Sequence, residues 1–352
     1  MPFIQKQNDL TKFQDLSDGL ATVGLRSTLI EDMGFFSVKP LATETVFIPR
    51  TIENLQDLVD VQWGLPPQTL DGDTKGYMTF PVARFPVKDA IFPADLDGNF
   101  NWDEIGQGQI PETLTSVRAR KMKKIGDAYK RLWEKARMQL IIEGTAYAPS
   151  GMLAQSYGAT VNYYTEFGIT RQSFEMSLND QLADILTEVE PILAYVQDNL
   201  NNGTVAGQFL AICGKTFFSK LVSHPYVKDA GKYINFAQSE DLLMGRLSAR
   251  GMGLDNRYRA FSFGGVVWVE DRSEMPAAEA RLFPTDVPEM FVTFLAPSKL
   301  KFGTVNTTAR DIYYFEKMTD ENGQERFEVV GESNFVNACL RPQALVAITI
   351  KA

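Results

Sequence analysis

The 352-residue sequence predicts an α+β fold. Three observations carry that class. From Thr51 to Pro111 the chain is dense in Gly and Pro and shows no helical pattern. One long helical pattern follows, from Pro111 to Glu143. Beyond it, short apolar runs bounded by Gly, Pro and Asn-Gly signals read as antiparallel strands mixed with helices.

Taken in order, residues 1–33 are mixed and weakly periodic and read as an extended arm with a short helix. Thr45–Ile48 is a strand stopped by Pro49, and Tyr77–Phe85 is a strand broken at Pro81. A helix-free stretch this long is unusual inside a compact domain, so it is expected to lie as a flap on a neighbouring molecule. Pro111 suits a first helical position, Glu112 the positive helix end and Gly144 the stop. The 33 residues from Pro111 to Glu143 make a helix of roughly 50 Å. Leu114, Val117, Ile125, Ala128, Leu132, Ala136 and Leu140 form its apolar face, widened by Tyr129 and Trp133, and Gly126 is its weak point.

Residues 161–171 read as a strand, and Phe174–Leu200 as a helical region broken at Pro191. Asn201-Asn202-Gly203 is a turn, Phe209–Cys213 an apolar strand, and Lys215–Val222 a helix ended by His224-Pro225. A helix is expected at Leu242–Leu247. Arg259–Phe263 and Gly265–Glu270 pair around Gly264-Gly265, and Met290–Leu295 is a strand. Ile312–Met318 and Glu325–Val330 flank an Asn322-Gly323 turn, the strongest short hairpin signal, and Leu345–Ile350 is a final strand.

Hydrophobic content of 44% and charged content of 22% are those of a folded chain with one large core or two modest ones. The net charge of −9 argues against a dedicated DNA binder and does not exclude a container whose wall must not hold a polyanion. Cys213 and Cys339 sit in apolar settings and are expected to be buried free thiols of a reducing compartment. No run approaches the ~20 apolar residues of a membrane span, and the N-terminus lacks the features of a signal peptide. The expectation is a protein folded in the cytosol and making no membrane contact.

Charge is unevenly placed. Arg118, Arg120, Lys121, Lys123, Lys124, Lys130, Arg131, Lys135 and Arg137 lie within twenty residues that hold only two acids, Asp127 and Glu134. That segment carries +7, so the rest of the chain carries −16. Three readings are open: a solvated face, a contact to an acidic patch of a neighbouring subunit, or a sequence-blind contact to phosphates. The −16 present on every identical copy puts the subunit contact first.

Catalytic patterns fail one by one. The chain has one histidine, His224, placed for a structural role, and no G-x-S-x-G elbow. Two cysteines and one histidine exclude the usual zinc sites. Gly214-Lys215-Thr216 ends like a phosphate-binding loop, but Phe209 stands where its first Gly belongs. Asp95–Asn99 resembles part of a calcium loop with its Gly two positions early and is an Asp-Gly turn. No catalytic residue, cofactor or metal is expected, and the chain reads as no enzyme.

FLAICGKTFFSKLVSHPYVKDA (209–230) resembles a signature segment of tailed-phage major capsid proteins of the lambda gpE family. RAFSFGGVVWVEDR (259–272) looks like that family's hairpin, and VNACLRPQALVAITIKA (336–352) like its closing strand. The flap followed by a long helix is similar to the E-loop and spine helix of the HK97 capsid fold. The likeness is strong from Phe209 onward and weak in the first 110 residues.

That resemblance implies an N-terminal arm at 1–35, an E-loop with flanking strands at 36–110, and a spine helix with peripheral domain at 111–184. It implies an axial domain at 185–290 and a return to the peripheral domain at 291–352. It further implies hexamers and pentamers of an icosahedral head that assembles in the host cytoplasm as a procapsid and encloses double-stranded DNA. The implied partners are other copies, a portal and a decoration protein. About 35 residues precede the flap region, so scaffolding is expected from a separate protein. Nothing marks a lysine–asparagine pair for crosslinking, and none is expected. The competing reading is a non-capsid nucleic-acid-binding protein using the basic helix 111–144.

Overall fold

The computed structural model of the chain describes residues 14–15, 29–52, 74–93, 96, 114–148, 161–200, 205–232, 258–300, 304, 307–321 and 324–351. The turn expected at 201–203, the helix at 242–247, the Asp-Gly turn at 95–99, the hairpin tip at Asn322-Gly323 and the helix start at Pro111 fall wholly or largely outside them.

The first sheet is organised by β13 (Gln324–Cys339), a strand of 16 residues. One edge pairs antiparallel with β12 (Tyr313–Glu321) along Gln324–Glu332. The other edge takes β5 (Ala83–Ile91) along Phe327–Phe335 and then β11 (Phe291–Leu295) along Phe335–Cys339. β2 (Phe36–Pro40) runs parallel to β11, and β1 (Gln14–Asp15) adds to β12. A separate hairpin joins β3 (Thr45–Ile52) to β4 (Thr74–Pro81). The second sheet has the order β6 (Ser173–Met176), β14 (Val346–Ile350), β10 (Glu279–Pro284), β7 (Phe209–Cys213), β9 (Val266–Glu270), β8 (Ala260–Phe263). All of β7 and all but one residue of β10 are buried, as expected of central strands.

The long helix is α2 (Leu114–Glu143); the shorter ones are α1 (Leu29–Met33), α3 (Tyr163–Phe167), α4 (Ile185–Asp198), α5 (Lys215–Ser223) and α6 (Pro225–Lys232). α2 lies across β13. Val117, Met122, Ile125 and Tyr129 bury against Ile91, Tyr314 and Val329, each contributing roughly 1.5–3 kcal/mol. The approach is close enough to need Gly331: a Cβ there would stand 2.6 Å from Ile125 Cγ2 and 3.0 Å from the Tyr129 ring. Gly126 does not break the helix, because the Tyr314 hydroxyl lies 3.1 Å from where its Cβ would be and the packing holds the turn. Tyr129 donates to Phe85 O at 2.7 Å and the Trp133 indole to Ser333 Oγ at 3.1 Å. Ala128, expected on the apolar face, is exposed, while Met138 and Ile141 are buried.

The two sheets share one core. The rings of Phe35, Phe36 and Phe291 stand 5.1–5.5 Å from one another or from Phe283 of the second sheet. Tyr163 donates to Asn337 O of β13 at 2.7 Å, and Tyr164 to Leu345 O at 3.2 Å beside β14. α3 therefore pins both sheets.

Several expectations are corrected. Residues 161–171 hold helix α3 instead of a strand: the Asn162 side chain accepts from the Tyr164 and Thr165 amides, and Gly168 ends the turn at φ 66°. Residues 174–176, expected to be helical, lie in β6 (Ser173–Met176). α4 runs through Pro191, since Asp184 caps its start and Ile185, Val189, Ile192 and Val196 bury one face while Pro191 points to solvent. β3 passes Pro49, which a two-stranded ribbon tolerates at its edge. β5, expected within the flap, is instead a core strand of the first sheet. β13 continues beyond Val330 through Gly331, against the low strand propensity of glycine. The closing strand, expected with the spine-helix sheet, lies in the second sheet beside β10. β2, β10 and α6 were not expected.

Gly331→Ala is expected to destabilise the chain by about 1–3 kcal/mol, because the added methyl meets Ile125 and Tyr129 in packed surroundings. Equilibrium urea unfolding measures it; an unchanged midpoint would contradict the close packing of α2 on β13.

Candidate assembly surface on the long helix

The nine cations of α2 fall into two sets. Arg118, Lys121, Lys130 and Arg137 are turned onto their own chain. Arg118 Nη1 pairs with Glu316 Oε2 at 3.2 Å, and Lys121 Nζ with Asp89 Oδ1 at 3.1 Å and with Ala90 O. Lys130 is buried and pairs with Glu31 Oε1 of α1 at 3.1 Å. Arg137 is 8% exposed and lies over the Phe36 ring at 5.2 Å and the Trp133 ring at 6.0 Å. Burial pushes its guanidinium below the ordinary arginine value, against the pull of Glu31, Glu134 and Asp311. Asp311 moves up for the same cause, with Arg137 opposing. Arg137, Glu31 and Asp311 line a cavity of about 220 Å³ with Phe36, Val38, Trp133 and Leu295.

The sequence offered no signal for the anchoring of α1. Glu134 accepts the Ile30 amide at 3.1 and 3.3 Å, so an acid 104 residues away serves the first turn of a five-residue helix. Together with Lys130–Glu31 it fixes residues 29–33 to α2.

Arg120, Lys123, Lys124, Arg131 and Lys135 are exposed. At 100° per residue they share a stripe roughly 120° wide and about 20 Å long. Lys135 also lies 6.0 Å from the centre of the Tyr147 ring. The basic surface is thus narrower than the +7 of the sequence segment, because four of its cations serve the fold.

A second buried charge network closes the far face of β13. Glu332 is 0% exposed and receives Arg84 Nε at 3.0 Å, Arg84 Nη2 at 3.2 Å, Ser298 Oγ at 3.0 Å and Asn334 Nδ2 at 2.7 Å. All its acceptor positions are used, so it ties β5 and residues 296–298 to β13. His224 is buried; its ring nitrogens meet Asp180 O at 2.8 Å and the Tyr226 amide at 3.3 Å. Cys213 and Cys339 are buried free thiols, and burial pushes Cys339 up to about 12. No group of three potential metal ligands occurs among the described residues, and no helix among them is long and apolar enough to cross a membrane.

Glu31→Ala is expected to cost about 2 kcal/mol, since it leaves Lys130 buried without its acid. The exposed pair Lys123→Glu/Lys124→Glu is expected to change stability by no more than about 0.5 kcal/mol per site. Chemical denaturation of the two variants side by side checks the division of the cations into folding and surface sets.

Comparison with known proteins agrees with this architecture. The phage major capsid protein E family matches residues 13–350. The major capsid protein of Pseudomonas phage KPP10 is 32% identical over 358 residues, covering 98% of both chains. That of Salmonella phage Felix O1 is 23% identical over 376 residues, covering 96% of both. Among solved structures, the putative capsid protein of an Escherichia coli CFT073 prophage superposes with a TM-score of 0.56 at 13% identity, covering 97% of this chain and 100% of that one. The capsid of cyanophage P-SCSP1u gives a TM-score of 0.53 at 11% identity, covering 94% and 90%. These likenesses carry an HK97-like fold, and none supports the non-capsid nucleic-acid-binding alternative. With the family matched along nearly the whole sequence and a relative at 32% identity, this chain belongs to the phage major capsid protein E family.

Proposed function

We propose that this chain is the wall subunit of an icosahedral phage head, built as hexamers and pentamers around double-stranded DNA, with a purely structural role. The observation that carries the proposal is the β3–β4 hairpin. It is a two-stranded sheet with no third strand among the described residues, a unit that is marginal alone. Val46, Ile48 and Phe80 face the core, while Phe47 between them is 63% exposed. Such a ribbon gains stability by lying on a neighbour.

In this reading the hairpin is the E-loop and α2 the spine helix. The first sheet with α2 and α3 is the peripheral domain, and the second sheet with α4, α5 and α6 the axial domain. β14 returns to the axial side, so the return to the peripheral domain ends before it. Residues 1–35 are the N-terminal arm, held at its root by Glu134 and Lys130. A separate scaffolding protein, a portal and a decoration protein complete the assembly, which forms in the host cytoplasm. The exposed stripe of Arg120, Lys123, Lys124, Arg131 and Lys135 meets acidic surface of an adjacent copy; contact to packaged DNA is second.

Ile52 pairs directly with Thr74, so an Asn-Gly turn can replace residues 53–73. That variant is expected to melt close to the parent and to form no shells in sedimentation and electron microscopy. Shells of normal size would contradict the proposed role of the hairpin. In parallel, Lys123→Glu/Lys124→Glu is expected to reduce shell yield at least about tenfold. Normal shells with weakened DNA retention would instead assign the stripe to phosphates.

A further inference from the structure

We infer that Arg137 and Asp311 are the two halves of a clasp that closes over the cavity between α1, β2, β11 and α2 when their side chains pair. The inference does not depend on the capsid reading. Arg137 lines that cavity and is 8% exposed. Its Nε has no hydrogen-bond partner among the described residues, and Glu31, Glu134 and Asp311 act on it only through space. A guanidinium this buried is costly until an acid pairs with it. Two of the three acids are committed elsewhere. Glu31 holds Lys130 at 3.1 Å, and Glu134 accepts the Ile30 amide at 3.1 and 3.3 Å. Asp311 lines the same cavity from an exposed position at its rim, and among the described residues only longer-range charges act on its carboxylate.

The backbone is already set for closure. The Trp133 indole donates to Ser333 Oγ at 3.1 Å, and Ser333 Oγ donates to Asp311 O at 2.8 Å. Trp133 and Arg137 are four residues apart on one face of α2. Asp311 is thereby tied beside Arg137, and side-chain rotation across a cavity of about 220 Å³ brings the two charges together. The closed clasp covers Phe36 and Val38, and Val38 is 49% exposed with the clasp open. Few other charges face Asp311. α1 supplies Glu31 and α2 supplies Glu134 beside Arg137, whereas β2 and β11 supply Phe36, Val38, Thr293 and Leu295. Desolvation at the rim raises the Asp311 carboxyl, Arg137 opposes this and Glu31 adds to it. An acid held above its ordinary value costs stability at neutral pH; the same acid paired with a buried guanidinium contributes stability.

That difference of sign makes Asp311→Asn at pH 7 the test. With the clasp open, asparagine removes an unfavourable charge and the free subunit melts higher. With the clasp closing, asparagine leaves Arg137 without its acid and the subunit melts lower. The expected result is a fall of about 2 °C or more. The same change in an Arg137→Met subunit is expected to cause no fall. An unchanged or higher melting temperature of Asp311→Asn alone would overturn the inference, and so would an equal fall in the Arg137→Met background. Should Arg137→Met not fold, the indole proton resonance of Trp133, assigned by Trp133→Phe, decides. Closure re-aims the Arg137 cation that lies 6.0 Å from this ring, so Asp311→Asn is expected to move the signal. A signal that stays in place would overturn the clasp.

Discussion

The close contact of α2 with β13 constrains everything around it. Gly331 lets Ile125 and Tyr129 sit on the strand, and Gly126 lets Tyr314 reach the helix. Once this contact is made, the rest of the first sheet has its positions. β12 and β5 take the two edges of β13 around Gly331, and Tyr129 and Lys121 reach over to β5. On the opposite face, Glu332 gathers Arg84, Ser298 and Asn334, so β5 is held both by its ladder and by an ion pair whose acid is buried. Removing Arg84 would leave that buried carboxylate without its cation, which is destabilising.

Among the described residues, the N-terminal segment and the hairpin are tied to that platform at a few points, β1 by its ladder to β12. α1 is bound by Glu134 and Lys130, and the hairpin by Val46, Ile48 and Phe80. A shell subunit needs both properties: a base that keeps its shape, and extensions that find their stability on a neighbour. The charge of α2 divides along the same line. Cations near α1 and the sheet close the fold, and those of the outward stripe are exposed.

Much of this was legible in the sequence. Phe209–Cys213, the Gly264-Gly265 hairpin, the Asn322-Gly323 hairpin and the long helix follow from apolar runs with unambiguous turn residues. The misreadings have specific causes. Residues 161–171 are rich in aromatic and β-branched residues, yet a single Asn162 cap and the tyrosine hydroxyl bonds outweigh that propensity. Pro191 sits on a helix whose buried face outweighs one missing hydrogen bond. The division of the basic face was not legible, because the acids that claim Arg118, Lys121 and Lys130 lie 198, 32 and 99 residues away. The anchoring of α1 was hidden for the same reason.

The central claim is that α2 and β13 form a platform complete in the single subunit, whereas the outer part of the hairpin is completed by a neighbour. Amide hydrogen exchange on free subunits and on purified shells tests this directly. The account predicts strong protection of Gln324–Cys339 in both states, and protection of residues 49–52 and 74–77 that rises sharply only in shells. Equal protection of the hairpin in free subunits, or a large gain in β13 on assembly, would contradict it.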